Sequence, residues 1–116
     1  MINGGRIARS RWIATLESLV RSGVRDVRTP PLSATRVVYR REPAGRERWQ
    51  TPAETAALGA GDCEDLSIYL ARDLRRRGFA ARVVIKRTRS GGLHALVAAR
   101  IRNKTVLLDP SKARGM

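Results

Sequence analysis

One cysteine, one histidine and one strand-ending aspartate have the layout of a cysteine nucleophile with its base and orienter. Cys63 sits in Gly61-Asp62-Cys63-Glu64-Asp65, where a loop becomes a helix. His94 follows on a segment that reads as a strand, and Asp109 closes the next strand just before Pro110. A thiol attacks carbonyls as its thiolate, which a helix N-terminus and a nearby imidazole both favour. Asp109 would bond one imidazole nitrogen and turn the other towards sulfur. The expected geometry is a sulfur–nitrogen approach within about 4 Å, with Asp109 on the far nitrogen.

The acids beside the cysteine work against this. Asp62 caps the predicted helix, and Glu64 and Asp65 lie in its first turn, where negative charge helps the helix. Three carboxylates beside a thiolate nevertheless raise its pKa. An arginine partner or a bound hard cation would remove the conflict, and plain helix-start acids are the other reading.

The elements that must position these residues can be read in order. Ile7–Ser22 predicts a helix with Trp12, Ile13, Leu16, Leu19 and Val20 near helical spacing, stopped by Gly23. Thr29–Ser33, with two prolines, should be extended, and Thr35–Tyr39 should be a short edge strand. Residues 42–48 read as a polar loop. Thr51-Pro52-Ala53-Glu54 is a helix start with a capping box and proline in the first turn. That short helix ends by Gly59. A second helix is predicted over Asp62–Arg77, with Leu66, Leu70 and Leu74 inward and Arg72, Arg75 and Arg76 facing water. The period then switches to two. Ala80–Lys86, Leu93–Ile101 and Thr105–Leu108 read as strands joined by turns at Ser90-Gly91-Gly92 and Arg102-Asn103-Lys104. His94 and Asp109 then share one open end of a hairpin.

The chain has 116 residues, 42% of them apolar and 4% aromatic, enough for one domain with a modest core. Nothing approaches a transmembrane span, and the first residues lack the apolar stretch of a secretory signal. The protein either works where it is made, with a cytoplasmic or virion-associated place favoured, or leaves by a route the sequence does not encode. A single cysteine excludes an internal disulfide and a multi-cysteine zinc site. The charge is +14, from 24 basic residues against 10 acids. Such a balance points to a polyanion, either nucleic acid, an anionic surface or an acidic protein partner, or reflects an arginine-rich composition. Arg75, Arg76 and Arg77 are the densest cluster and are expected to lead a positive face running from the helix end into the hairpin.

Trp49-Gln50-Thr51-Pro52-Ala53-Glu54, then Gly59 to Asp65, then His94-Ala95 and Leu107-Leu108-Asp109-Pro110, resemble the transglutaminase-like cysteine proteinase superfamily. The bacterial members are the nearest in pattern, and the resemblance covers Trp49 to Pro110. It implies an α+β fold with a papain-like core, helices packed on a small antiparallel sheet, preceded by an N-terminal helix and an extended segment. It implies Cys63 as nucleophile, His94 as base and Asp109 as orienter. Some members are calcium-dependent peptidases with the flanking acids as ligands; matched here, these are Asp62 and Glu64, with Asp65 a further candidate. For the oxyanion, the Cys63 N–H is one candidate donor and the side chain of Trp49 or Gln50 a second. The expected function is acyl transfer through a thioester to a protein substrate, with hydrolysis favoured over cross-linking and no cofactor required. Similar small domains occur in phage genomes. The alternative is accordingly a non-enzymatic basic protein that binds nucleic acid or an assembly partner on the same scaffold.

Overall fold

The computed structural model describes residues 2–41 and 48–116, with side chains from Arg11 onward. The polar loop predicted over 42–48 therefore lies, except for Arg48, outside the described residues.

Helix α1 runs Ile2–Arg25, longer at both ends than its apolar pattern predicts. Leu16 and Val20 are buried, while Ile13 is exposed and Trp12 is left at the surface, edge-on to Trp49. Gly23 does not stop the helix. A Cβ there would lie 2.9 Å from both Arg72 Cγ and Pro52 Cγ, so the glycine is needed for close packing.

Arg72 accounts for that packing, and it overturns the expectation that it faces water. Its side chain is 1% exposed. The guanidinium donates to the carbonyls of Gly23 (3.0 Å), Asp26 (2.6 Å) and Thr29 (2.6 Å), and to Asp73 Oδ1 (2.8 Å). Asp73 Oδ2 in turn accepts from the Leu32 amide at 2.7 Å. The segment leaving α1 carries carbonyls without helical partners, and a planar five-donor fork satisfies several at once. Arg72→Leu is expected to destabilise the fold by about 3–5 kcal/mol, because Asp73 and the carbonyls stay buried without their donor. Arg72→Lys should recover only part of this. Chemical denaturation checks both, and a near-wild-type midpoint for Arg72→Leu would contradict this role.

The chain next departs from its predicted extended course. Leu32–Ala34 forms a single 3-10 turn that buries Leu32. The predicted strand shrinks to β1, Val38–Tyr39, which pairs in parallel with β2, Ala60–Gly61. Between them lies α2, Pro52–Leu58, with the Thr51–Glu54 capping box formed in both directions. Gly59 at φ +79° turns the chain from α2 into β2.

Helix α3, Cys63–Arg76, is the central element. It packs on a three-stranded antiparallel sheet in the order β3-β4-β5, formed by Ala80–Arg87, Leu93–Ile101 and Lys104–Leu108. Register pairs Val83 with Val97 and Val97 with Leu108. Ala81, Val83, Ala95, Val97 and Ala99 meet Ile68, Ala71 and Leu74 of α3 and Leu16 and Val20 of α1 in one core, which includes Cys63. Arg102 and Asn103 both take positive φ in the tight β4–β5 turn. A short helix α4, Pro110–Ala113, follows β5 and was not expected. The chain is thus α+β, with helices on a small antiparallel sheet. No described helix is long and apolar enough to cross a membrane.

Candidate active site

Three hydrogen-bonded corners hold the start of α3. Asp62 Oδ1 accepts the Asp65 amide at 3.0 Å and Asp65 Oδ2 accepts the Asp62 amide at 3.1 Å, a reciprocal cap on the helix. Asp65 is fully buried and also accepts the Gln50 amide (2.8 Å) and Gln50 Nε2 (2.9 Å). Gly61 makes this approach possible, since a Cβ there would stand 2.7 Å from Asp65 Cβ. Segment 49–50 is thereby fastened beside the cysteine.

The two oxyanion candidates in that segment now separate. Gln50 Nε2 also reaches Thr55 Oγ1 (3.3 Å) and the Ala60 carbonyl (3.2 Å), so its N–H groups are spent on holding the loop. The Trp49 indole Nε1 is buried and has no acceptor among the described residues. A buried N–H without a partner costs free energy.

Cys63 is 8% exposed and its thiol donates to Glu64 Oε2 at 3.2 Å. Burial pushes the thiol up to about 12, and the neighbouring charges of Glu64 and Asp62 push the same way; the Ala95 amide acts in opposition. The resting sulfur is therefore a protonated thiol, and the helix N-terminus does not prevail. Glu64 is itself pushed up to about 7, first by burial and then by the charge of Asp62.

The other half of the site is assembled as expected. His94 Nε2 meets Asp109 Oδ2 at 2.9 Å, both side chains being less than one-fifth exposed. Asp109 Oδ1 accepts the Ser111 and Lys112 amides at the start of α4, which fixes the carboxylate from behind. The unpredicted helix is thus part of what orients His94. Nδ1 is the ring nitrogen outside this pair.

The structure brings Cys63 against Ala95, the residue after His94, rather than onto the imidazole. Strand alternation turns Ala95 and Val97 towards α3 and His94 and Leu96 the other way. Among the described residues no hydrogen bond joins Cys63 to His94; the thiol is held by Glu64.

The remaining expected residues are placed as follows. Among the described residues no group of three or more metal-ligating side chains converges. Asp62 caps the helix, Asp65 accepts amide donors and Glu64 accepts from the sulfur. The three arginines of the cluster have different partners. Arg75 is half-buried, paired with Glu17 (Nη1–Oε2 2.7 Å) and bonded to the Ala81 carbonyl at 2.7 Å. Arg76 is bonded to the Val24 carbonyl and Arg77 stacks over Phe79.

No protein-family model matches this chain, and no curated protein or solved structure matches it either. The functional reading accordingly rests on the residues themselves. The feature the sequence missed is the role of Glu64 as acceptor for the thiol. Its adjacency to Cys63 was visible, but its direction depends on the rotamer and on burial.

Proposed function

We propose that this chain is a cysteine-nucleophile acyl-transfer protein of papain-like architecture, with hydrolysis of a peptide bond as its favoured reaction. The observation that carries the reading is the His94–Asp109 pair at 2.9 Å, with the Cys63 sulfur lying against the amide of the next residue. The succession of cysteine at a helix start, then histidine and aspartate on neighbouring strands, supports the same architecture.

In this mechanism the imidazole first swings from the sheet face it shares with Leu96 towards Cys63; the thiol then leaves Glu64 and passes its proton to His94 Nδ1 as sulfur attacks the carbonyl carbon. Asp109 holds the imidazole and stabilises the imidazolium. The oxyanion is met by the Trp49 indole N–H and by the Cys63 backbone N–H, which lies in the helix's first turn. Collapse breaks the C–N bond, and His94 returns the proton to the departing amine. Water then cleaves the thioester; an amine in its place would give cross-linking.

A second reading is favoured by one observation, the thiol held on Glu64 away from the imidazole. In it, the scaffold is non-enzymatic and the basic surface binds a polyanion. The two separate on exposure to 4-nitrophenyl acetate. An acyl adduct on Cys63 by mass spectrometry, absent in Cys63→Ser and discharged by water, is expected of the enzyme. Unmodified Cys63 under conditions that acetylate surface lysines would leave the binding protein.

A further inference from the structure

We infer that the cavity beside the His94–Asp109 pair selects an acidic polypeptide segment; this deepens the acyl-transfer reading and rests on it for the identity of the substrate. The cavity is about 660 Å³ and its rim carries Lys86, Arg87, Arg89 and Lys112. His94 and Asp109 form one of its walls, with Leu96, Leu107 and Met116 supplying apolar surface.

The charge here is one-sided for a structural reason. Lys86 lies directly across from His94 in the β3–β4 register, so the two side chains leave the same face of the sheet as neighbours. Arg87 and Arg89 continue into the β3–β4 turn, and Lys112 stands on α4 just after the Asp109 cap. All four are exposed, and among the described residues none has a carboxylate partner. Asp109 is the single acid on the lining and it is committed to His94. In a separate cavity of about 210 Å³, Arg40 and Arg41 share the lining with Asp62 and Asp65.

Four uncompensated cations on a concave surface focus potential and attract an anionic segment. A peptide fits better than a nucleic acid. The lining has no phenylalanine, tyrosine or tryptophan on which bases could stack, whereas leucine and methionine surfaces suit aliphatic side chains. The cavity has room for a few residues of extended chain, and His94 stands on its wall while Cys63 packs with Ala95 on the other face of the strand. Carboxylates on the substrate would pair with the rim while its backbone passes His94.

The test measures binding, so it does not depend on turnover. A fluorescent glutamate-rich peptide and its glutamine counterpart are titrated into the full chain carrying Cys63→Ser. The glutamate peptide is expected to bind at least about tenfold more tightly, with the difference shrinking as salt rises. The combined change Lys86→Gln, Arg87→Gln and Arg89→Gln should erase that preference, and Arg76→Gln with Arg77→Gln should retain it. Equal binding of both peptides, or equal loss in the two charge variants, would overturn the inference. So would an oligothymidylate of equal charge that binds more tightly than the peptide, since the groove would then serve nucleic acid. Acidic-peptide binding without any acyl adduct on Cys63 would uphold the groove and remove only the catalytic reading.

Discussion

Replacing His94 by alanine is expected to slow acylation of Cys63 by 4-nitrophenyl acetate about 10²–10⁴-fold, the usual contribution of a positioned base. The effect should be this large because the thiol, pushed up to about 12, has almost no thiolate to offer unaided at neutral pH. Asp109→Asn should also lose rate, since the amide cannot stabilise the imidazolium and can favour the wrong tautomer. Because Asp109 also caps α4, its variant needs a thermal-stability control; His94→Ala carries less of that burden. Stopped-flow release of nitrophenolate measures both. A His94→Ala rate within about twofold of wild type would mean that the imidazole does not serve the sulfur, general-base effects being far larger.

The second large effect should come from Glu64. Its carboxylate accepts the thiol proton and its charge disfavours the thiolate, so it opposes the nucleophile twice. Glu64→Gln removes the charge and offers the sulfur an amide donor. The thiolate fraction at neutral pH should rise about 10–100-fold, and alkylation of Cys63 by iodoacetamide should rise with it. A stability signature accompanies this. The carboxyl lies near 4.5 when free and about 7 in the fold, so the folded chain keeps a proton that the unfolded chain has lost. Stability falls as pH rises through that window. Wild-type Tm should therefore drop from pH 5 to pH 8, and Glu64→Gln should flatten the drop. Asp65, also raised to about 7 by burial, leaves a residual slope. Unchanged alkylation in Glu64→Gln would show that burial alone sets the thiol.

Local signals made much of this molecule readable. The Thr51–Glu54 capping box, the apolar stripe of α3 and the two hairpins each depend on neighbours a few residues apart. The order of Cys63, His94 and Asp109 on helix, strand and strand was visible for the same reason. What was not visible depends on long-range partners. Arg72 lies at a position that periodicity assigns to solvent, and only the carbonyls some 43–49 residues earlier explain its burial. The same holds for Gln50, whose amide is consumed by Asp65 and Ala60. The parallel pairing of Val38–Tyr39 with Ala60–Gly61 is too short for any alternation to register. The α4 helix, at four residues, falls below what a pattern can show. The cationic rim emerges only once register sets Lys86 opposite His94.

In the proposed acyl transfer, His94 activates a buried thiol that cannot ionise by itself. The most direct measurement is the pH dependence of Cys63 alkylation in wild type and in His94→Ala, followed on the intact chain. The wild type should react measurably at neutral pH, at least about tenfold faster than the variant, and the two rates should converge as the pH nears the value of about 12 set by burial. Two superimposed profiles, both rising only towards that high pH, would contradict the account and leave Cys63 as a buried core residue.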